Sequence, residues 1–481
     1  MAILIILILL FLNLDIIKGK GKLNDYIFLA SLIITLVLVT LLKITGIAFW
    51  VITLLIILNS IFKKYLYQNQ LISLLLIDGY IWLIDNNITG DKIFSFISHK
   101  VEKFLSLSDY GAEFLFGNLA KREYFYPQSD FWPGFGYQFA FSVLPVIIFF
   151  ASFMSILYHL GIMQRVIKAL AKFMQWTMGT SGAETLACSA NIFIGQVEAP
   201  LIIRPFLGKM TLSEISTVMV GGFATIAGGV LAGYIKMGIP ATHLIAASVM
   251  STPAALMVGK IIFPEIEKPE TIGSVELPKD TGKATNLLDA ASHGVTDGLK
   301  LAANVGAMLI AFIALIGLID YILFFLDRLI DGKLLHGEFI KYTNPSGFSP
   351  IKGEYTGIFP GSLKTLFGAI FSPIAFLMGV PWQYAREVGN LLGIKIALNE
   401  FVAYSSLAQL KAAGILSERA IIIATYALCG FANFASIGIQ IGGIGALAPR
   451  RRSDLSKVAL KAMFGGAIAS WLTASIAGVL L

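Results

Sequence analysis

The chain has 481 residues, of which 57% are hydrophobic and only 14% are charged. Because soluble domains are about a quarter charged, this composition excludes an ordinary soluble enzyme and predicts an all-α polytopic membrane protein in a lipid bilayer. The net charge of +7 does not indicate a nucleic-acid partner, since the Lys and Arg residues lie in short clusters at the ends of apolar segments, where they orient a membrane protein.

The first 86 residues are predicted to cross the membrane four times. The apolar start at residues 1–17 lacks the positive charge and the cleavage site of a signal peptide, so we interpret it as a short span, with an interfacial helix as the alternative. Further spans are expected at 27–44, 46–62 and about 70–86. Lysines follow the first and third spans, which by the positive-inside rule places the N-terminus outside.

Residues 91–107 have a different pattern. Apolar residues such as Ile97, Val101 and Phe104 recur at helical spacing, with charged residues between them. The pattern predicts an amphipathic helix that lies on the membrane, and binding of a partner protein is the less favoured interpretation.

The rest of the chain alternates apolar spans with polar connections. A span at 138–158 runs inward and leads to a basic stretch that we expect in the cytoplasm. The basic residues of this stretch are Arg165, Lys168 and Lys172. Polar segments at 264–300 and 327–362 are predicted to be a cytoplasmic and an outer connection, and a final helix is expected at about 457–480.

Two carboxylates stand inside apolar segments. Glu198 lies in GQVEAP (195–200) beside Gln196, and Glu400 lies in NEFVAY (399–404) beside Asn399. An ionisable residue at membrane depth costs about 3 kcal/mol on insertion scales and therefore indicates a function. We predict that both carboxylates belong to a polar site inside the membrane.

The same tripeptide, Gly-Phe-Ala, follows each carboxylate at residues 222–224 and 430–432, in a glycine-rich setting that weakens a helix. We therefore predict inverted repeats, each with a re-entrant segment and a discontinuous helix, that meet near the midplane. Carbonyls freed at the breaks would bind a cation and a polar solute. The alternative is that the glycines serve close helix packing and the carboxylates form buried structural pairs.

At GQVEAP, at GxKxxxNEFVAY (393–404) and at GFANFASIG (430–438) the sequence resembles the concentrative nucleoside transporter family in its bacterial, sodium-coupled form, and the likeness extends from about residue 91 to the C-terminus. The resemblance implies a homotrimer of subunits with a scaffold and a transport domain. It also implies two re-entrant helical hairpins of opposite orientation, at about 181–209 and 364–411, and two unwound helices, centred on Thr225 and Asn433.

By matching position, the resemblance implies a nucleoside site with a sodium site beside it. The implied substrate-binding residues are Gln196, Val197 and Glu198 for the base, Glu400, Asn433 and Ser436 for the ribose, and Val230 and Phe431 beside them. The implied sodium ligands are Asn191, Ile194, Thr225 and Ile226. Val197 stands where many members carry Thr or Ser, so the preference for pyrimidine or purine bases stays open. Thr225 keeps a hydroxyl where a close bacterial pattern has Ser, which favours sodium over protons.

The predicted organisation follows from these features in chain order. It comprises additional N-terminal transmembrane helices at 1–45, scaffold helices and the amphipathic helix at 46–130, a first core repeat with hairpin 1 at 131–263, a cytoplasmic connection at 264–300, and a second core repeat with hairpin 2 and the C-terminal helix at 301–481.

We expect this protein to be a secondary active transporter of the cytoplasmic membrane that imports nucleosides such as uridine or adenosine with sodium. No GxxxxGK[ST] motif is present, so a cation gradient is the expected energy source and no cofactor is required. The alternatives are coupling to protons, transport of another small polar solute, a sensor that binds without transport, and an enzyme that uses Glu198 and Glu400 as acid and base. An enzyme is disfavoured because no nucleophile or metal cluster accompanies the carboxylates, and Cys188 and Cys429 lie too far apart in sequence for a CxxC site.

Overall fold

The computed structural model describes residues 90–125, 134–273, 284–342 and 349–481. The four spans predicted before residue 87 lie outside these residues. In the part of the chain that is described, the regular elements are helices except for an antiparallel hairpin of β1 (Phe339–Lys341) and β2 (Gly353–Tyr355). The predicted all-α architecture is confirmed.

The helices up to residue 262 are α1 (Gly90–Leu105), α2 (Ser108–Phe116), α3 (Phe139–Ser142), α4 (Leu144–His159), α5 (Ile162–Met178), α6 (Gly182–Ala190), α7 (Ala199–Ile202), α8 (Arg204–Leu207), α9 (Leu212–Ala224), α10 (Gly228–Lys236) and α11 (Ala241–Ile262). The later helices are α12 (Leu287–Asp327), α13 (Leu363–Leu377), α14 (Trp382–Ala397), α15 (Glu400–Ala412), α16 (Glu418–Leu428), α17 (Phe434–Leu447) and α18 (Arg452–Leu480).

Helix α1 coincides closely with the amphipathic helix predicted at 91–107. Its Phe104 ring packs against Phe149 and Phe153 of α4, with ring centroids 5.0 and 4.5 Å apart. Ser98 Oγ lies 2.8 Å from Thr242 Oγ1 at the start of α11. The apolar face of α1 is therefore used against the helical core, and its position on the membrane stays a prediction.

Five stretches of the described residues are long and apolar enough to cross a membrane: Phe139–His159, Leu212–Lys236, Ala241–Ile262, Leu287–Leu334 and Pro449–Leu480. They divide into two groups by burial. In their most apolar windows only 22% and 17% of the residues of the first and fourth stretches are buried, against 89%, 78% and 72% for the other three. Helices α4 and α12 thus face outward, whereas α9 to α11 and α18 form an enclosed bundle.

Small residues bring the helices of this bundle close together. A Cβ at Gly466 of α18 would lie 2.4 Å from the Cβ of Phe223 in α9, and one at Gly259 of α11 would lie 2.8 Å from Thr217 Oγ1. Side chains larger than hydrogen are thus excluded at both positions, and the helices are held at backbone-to-backbone distance.

Both helices predicted to be unwound are interrupted. Helix α9 ends at Ala224, residues 225–227 are not helical, and α10 continues from Gly228. Helix α16 ends at Leu428, and α17 starts at Phe434 with Asn433 as its N-cap. The breaks lie at the residues where the glycine-rich segments predicted them.

The first re-entrant segment also has the predicted extent. Helix α6 begins with a capping box between Ser181 and Glu184, and α7 and α8 lead the chain back to Leu207. The second hairpin is shorter than the predicted 364–411. It consists of α14 and α15 with its tip at Leu398 and Asn399, because α13 is a separate helix that is bent from α14 by 117°.

Helix α12 begins inside the segment predicted as a polar connection at 264–300. Asn286 Oδ1 accepts a hydrogen bond from Asp289 N at 2.9 Å and caps the helix, and His293 pairs with Asp289 one turn later. The charged residues in the last part of this segment, such as Asp297 and Lys300, therefore belong to a 41-residue helix, about 60 Å long, that extends beyond a bilayer core of about 30 Å.

Candidate solute and cation sites

A cavity of about 1040 Å³ lies between the outward-facing helices and the broken helices. Its wall includes every residue that the sequence implied for the substrate: Gln196, Val197, Glu198, Val230, Glu400, Phe431, Asn433 and Ser436. The fold therefore gathers residues that are up to 240 positions apart in the chain at one partly open, mostly apolar cavity.

Glu400 is the first residue of α15 and is almost completely buried, with 4% of its surface exposed. Its carboxylate accepts hydrogen bonds from Tyr234 Oη at 3.0 Å and from Asn433 Nδ2 at 3.2 Å. A carboxylate has about four lone-pair sites, so two neighbours fix its orientation and leave acceptor capacity for hydroxyl groups of a ligand.

Asn433 links Glu400 to the second break. Its Oδ1 accepts a hydrogen bond from Ser436 N at 2.9 Å and caps α17, while its Nδ2 faces Glu400. Because the helix cap fixes the amide oxygen, the amide nitrogen is directed at the carboxylate. Asn399 caps α15 in the same way through Val402 N at 2.9 Å.

A hydrogen-bond chain continues from this cap to the first hairpin. Gln196 Nε2 donates to Ser436 Oγ at 3.2 Å, and Gln196 Oε1 accepts from Gln440 Nε2 at 2.9 Å. Gln440 Nε2 also lies 3.2 Å from Met219 O in α9. The two hairpins and both broken helices are thus joined by one polar network.

Glu198 differs from Glu400 in its burial and its partners, although both carboxylates were expected in one polar site. Glu198 is exposed to the cavity, and its carboxylate forms no hydrogen bond or ion pair with the residues described here. It folds over Gly195, where a Cβ would lie only 2.2 Å from Glu198 Oε2. The adjacent Val197 fits against Gly443, where a Cβ would lie 2.5 Å from Val197 Cγ1.

The residues implied for sodium lie beside the cavity, around residues 221 and 222. With its amide oriented to suit its neighbours, Asn191 places Oδ1 3.3 Å from Gly222 N and Nδ2 3.3 Å from Gly195 O. Thr225 Oγ1 donates to Gly221 O at 2.7 Å. Asn191 and Thr225 are buried and bind the two polar atoms of the same peptide group, between Gly221 and Gly222.

The two remaining implied ligands would contribute backbone oxygens. Ile194 lies in the non-helical tip of the first hairpin, and Ile226 lies in the break between α9 and α10. The tip and the break are held together by a hydrogen bond of 3.1 Å from Gly228 N to Phe193 O. Amide, hydroxyl and carbonyl oxygens are hard donors that suit an alkali cation.

Comparison with known proteins identifies the family. A family model described as Na+ dependent nucleoside transporter C-terminus matches residues 243–478, and a second one, described as nucleoside recognition, matches residues 140–241. The chain is 42% identical over 393 residues to the uncharacterized transporter YutK of Bacillus subtilis, an alignment that covers 82% of this chain and 87% of that protein. The chain belongs to the concentrative nucleoside transporter family.

Further similarities support this family. Sodium/nucleoside cotransporter 1 of Rattus norvegicus is 42% identical over 404 residues, which cover 81% of this chain and 56% of that longer protein. The structure of CNTnw in an inward-facing substrate-bound state has a TM-score of 0.74 at 36% identity and covers 87% of this chain and 92% of that one. A CNTnw variant in its intermediate 2 state has a TM-score of 0.77 at 35% identity. The family consists of transporters of the membrane and not of enzymes.

The concentrative nucleoside transporter fold also uses residues that sequence reasoning did not single out. Tyr234 and Gln440 hold Glu400 and Gln196, and no motif links them to those partners. A tyrosine hydroxyl or a glutamine amide within an apolar span must find a partner, and this was the one signal available.

Lys395 is the third such residue, although it lies in the quoted motif GxKxxxNEFVAY. It is fully buried, and Nζ donates to Ala427 O at 2.9 Å and to Cys429 O at 3.3 Å. These carbonyls end α16, where a cation is favoured by the helix dipole. Lys395 therefore stabilises the second break from inside the protein.

The two breaks also touch each other. Gly430 has a φ of +118°, and a Cβ there would lie 2.6 Å from Phe223 O and 2.7 Å from Ala224 O. Only glycine permits this backbone conformation and this distance. The two Gly-Phe-Ala segments that suggested related halves are thus in direct backbone contact.

Proposed function

We propose that this protein imports nucleosides across the cytoplasmic membrane by symport with sodium. The observation that carries the proposal is the network from Glu400 through Asn433 and Ser436 to Gln196, which lines a single cavity between the two hairpins. Relatives named sodium/nucleoside cotransporters, and the substrate-bound CNTnw structure, support the same activity.

The chemistry of the cavity suits the two parts of a nucleoside. In our proposal Glu400, Asn433 and Ser436 bind the ribose hydroxyls, because a buried carboxylate and a fixed amide can accept from and donate to them. Gln196 and Glu198 read the edge of the base. Phe431, Val230 and Val197 provide the apolar walls, and Val197 contributes no hydroxyl to base recognition.

Sodium is the second cargo, and we propose Asn191, Thr225 and the carbonyls of Ile194 and Ile226 as its ligands. Residues 191–198 form one non-helical turn that contains both Asn191 and Gln196. A cation held at the start of this turn would therefore order the groups at its end that bind the base. This linkage makes the binding of sodium and of nucleoside mutually favourable, which is a negative coupling free energy.

We use the burial of the helices to propose which of them stay fixed and which move when the site crosses the membrane. The outward-facing helices α4 and α12 belong to the scaffold, and the enclosed bundle with both hairpins belongs to the transport domain. We expect a homotrimer, because the exposed apolar faces of the scaffold helices need cover by lipid or by other subunits.

Uptake by purified protein in liposomes tests the proposal. Labelled uridine and adenosine should accumulate under an inward sodium gradient and should be recovered unchanged. Replacement of sodium by choline at fixed pH should abolish accumulation, whereas persistence driven by an inward proton gradient would indicate proton coupling. No uptake and no counterflow above empty liposomes would reject transport, and chemical conversion of the nucleoside would indicate an enzyme.

A further inference from the structure

Helix α5 presents a surface that the proposed transport cycle does not use. The helix begins three residues after α4 ends at His159, and Gly161, with a φ of +72°, turns the chain between the two. Because α4 belongs to a membrane-crossing stretch, α5 starts at the boundary of the membrane.

One face of α5 is buried against the rest of the protein. Met163, Ile167, Ala171, Met174 and Met178 are buried, and the helix packs on α4 and on α6, the first helix of hairpin 1. The opposite side of the helix is exposed, carries apolar and basic residues, and contains no acidic residue.

The exposed side of α5 is divided into two flanks. At 3.6 residues per turn, Arg165, Lys168 and Lys172 share one flank. Ile162, Val166 and Phe173 share the other flank, roughly 100° around the helix. Trp176 projects between them and is 76% exposed.

The basic flank has no counter-charge among the described residues. Arg165, Lys168 and Lys172 form no ion pair with any residue that the structure describes. By contrast, exposed lysines elsewhere, such as Lys209 and Lys457, lie 2.8 and 3.8 Å from a carboxylate. The three charges are therefore available to an external anion.

We propose that α5 is a binding surface for anionic phospholipids of the cytoplasmic leaflet. The apolar flank enters the acyl-chain boundary, the basic flank contacts lipid phosphates, and Trp176 lies at the interface between them, as expected of an amphipathic helix in the plane of a membrane. A soluble anion would match the charges but would leave Ile162, Val166 and Phe173 in water, so the lipid fits both flanks.

The consequence for transport follows from the buried face. Since α5 packs directly on α6, bound lipid would support the hairpin that carries Asn191 and Gln196. This effect is an addition to the proposed function, and the lipid surface itself does not depend on what is transported.

Fluorescence quenching by brominated phospholipids tests the surface. The full chain is reconstituted in phosphatidylcholine vesicles that contain a small fraction of brominated phosphatidylglycerol or, separately, of brominated phosphatidylcholine. The difference between the natural chain and Trp176→Phe isolates the signal of Trp176 from the other tryptophans. We expect brominated phosphatidylglycerol to quench Trp176 at a several-fold lower mole fraction, since each basic residue near a membrane surface contributes about fivefold.

A matched pair of triple variants decides the role of the basic flank. Arg165→Gln/Lys168→Gln/Lys172→Gln should reduce quenching by the anionic lipid to the level of phosphatidylcholine. The control Lys209→Gln/Lys268→Gln/Lys457→Gln removes the same charge from exposed lysines outside α5 and should keep the preference. An unchanged thermal unfolding midpoint in detergent verifies that both variants are folded.

Three results would overturn the proposal. Equal quenching by both lipids in the natural chain would show that the basic flank does not select anionic lipid. Absence of quenching by either lipid would mean that protein, such as a second copy of the chain, covers α5. Loss of the preference on addition of inorganic phosphate at constant ionic strength would mean that the basic flank binds free phosphate and not lipid.

Discussion

The two broken helices carry the same Gly-Phe-Ala segment, which ends α9 just before the first break and lies inside the second break, and they differ in the groups that bind the backbone there. In the second break Lys395 Nζ and Ser470 Oγ donate to Cys429 O, so a side-chain cation satisfies the carbonyls that end α16. In the first half the carbonyl at the matching position, Gly221 O in α9, accepts from the hydroxyl of Thr225 at the start of the break. The first break contains amide, hydroxyl and carbonyl oxygens without a basic residue among the implied ligands.

This difference explains why one half of the protein would bind sodium and the other would not. A break that is closed by a covalently attached ammonium group has no need of a mobile cation. The implied ligands at the other break are oxygen atoms only, and a bound sodium ion would supply the positive charge that these oxygens favour. The second break would thus be a permanent support for the ribose site, and the first would be the part that responds to the ion.

The largest effect is expected from the second half, at Glu400. Glu400→Ala removes the carboxylate held by Tyr234 and Asn433, and uptake should fall by roughly 100-fold or more, because loss of a buried charged acceptor costs about 3 kcal/mol or more. Uptake in proteoliposomes measures the loss, and unchanged membrane insertion is the control. Retained transport would contradict the ribose assignment.

Lys395→Met sharpens the contrast between the breaks. It leaves Ala427 O without its side-chain donor and Cys429 O with Ser470 Oγ alone, so the free energy of unfolding should fall by about 1–3 kcal/mol. Thermal unfolding in detergent measures this change. Lys457→Met, at an exposed lysine, should change stability by less than about 0.5 kcal/mol. A Lys395→Met protein as stable as the natural chain would disprove that Lys395 supports the second break.

Thr225→Val tests whether the hydroxyl of Thr225 binds sodium. The variant keeps the shape of the side chain and removes one proposed oxygen ligand, so the sodium concentration for half-maximal uptake should rise roughly tenfold. Thr225→Ser retains the hydroxyl and serves as the matched control. An unchanged sodium dependence in Thr225→Val would exclude this hydroxyl as a ligand.

The smallest effect is expected at Tyr234. Tyr234→Phe removes one of two donors to Glu400 and keeps the ring packing against Phe401. Because Glu400 keeps its hydrogen bond from Asn433, loss of the second one should cost about 1 kcal/mol, and the apparent affinity for nucleoside should weaken by about fivefold. Concentration dependence of uptake measures it, and the same variant should leave the sodium dependence unchanged.

The sequence predicted those parts of the fold that depend on local pattern. Polar residues in apolar spans and the glycine-rich segments located Glu400 and both breaks. Such signals are strong because membrane-depth polarity and helix interruption are costly and therefore rare. The cavity residues were located by resemblance, and their assignment to base, ribose and ion stays a prediction.

The parts that depend on distant partners could not be read from the sequence. Tyr234 and Gln440 meet Glu400 and Gln196 only after the helices pack, and nothing in their spacing along the chain indicates those pairs. The resemblance implied a second hairpin from about residue 364, and the bend of 117° that separates α13 from α14 has no signal in the sequence.

Titration of uridine into the purified protein, with sodium and then with choline at the same ionic strength, tests the central claim most directly. If sodium at Asn191 and Thr225 orders the turn that contains Gln196, uridine should bind at least about tenfold more tightly in sodium. The enhancement should be lost in Thr225→Val and kept in Thr225→Ser. Equal uridine affinity in sodium and choline would contradict the account.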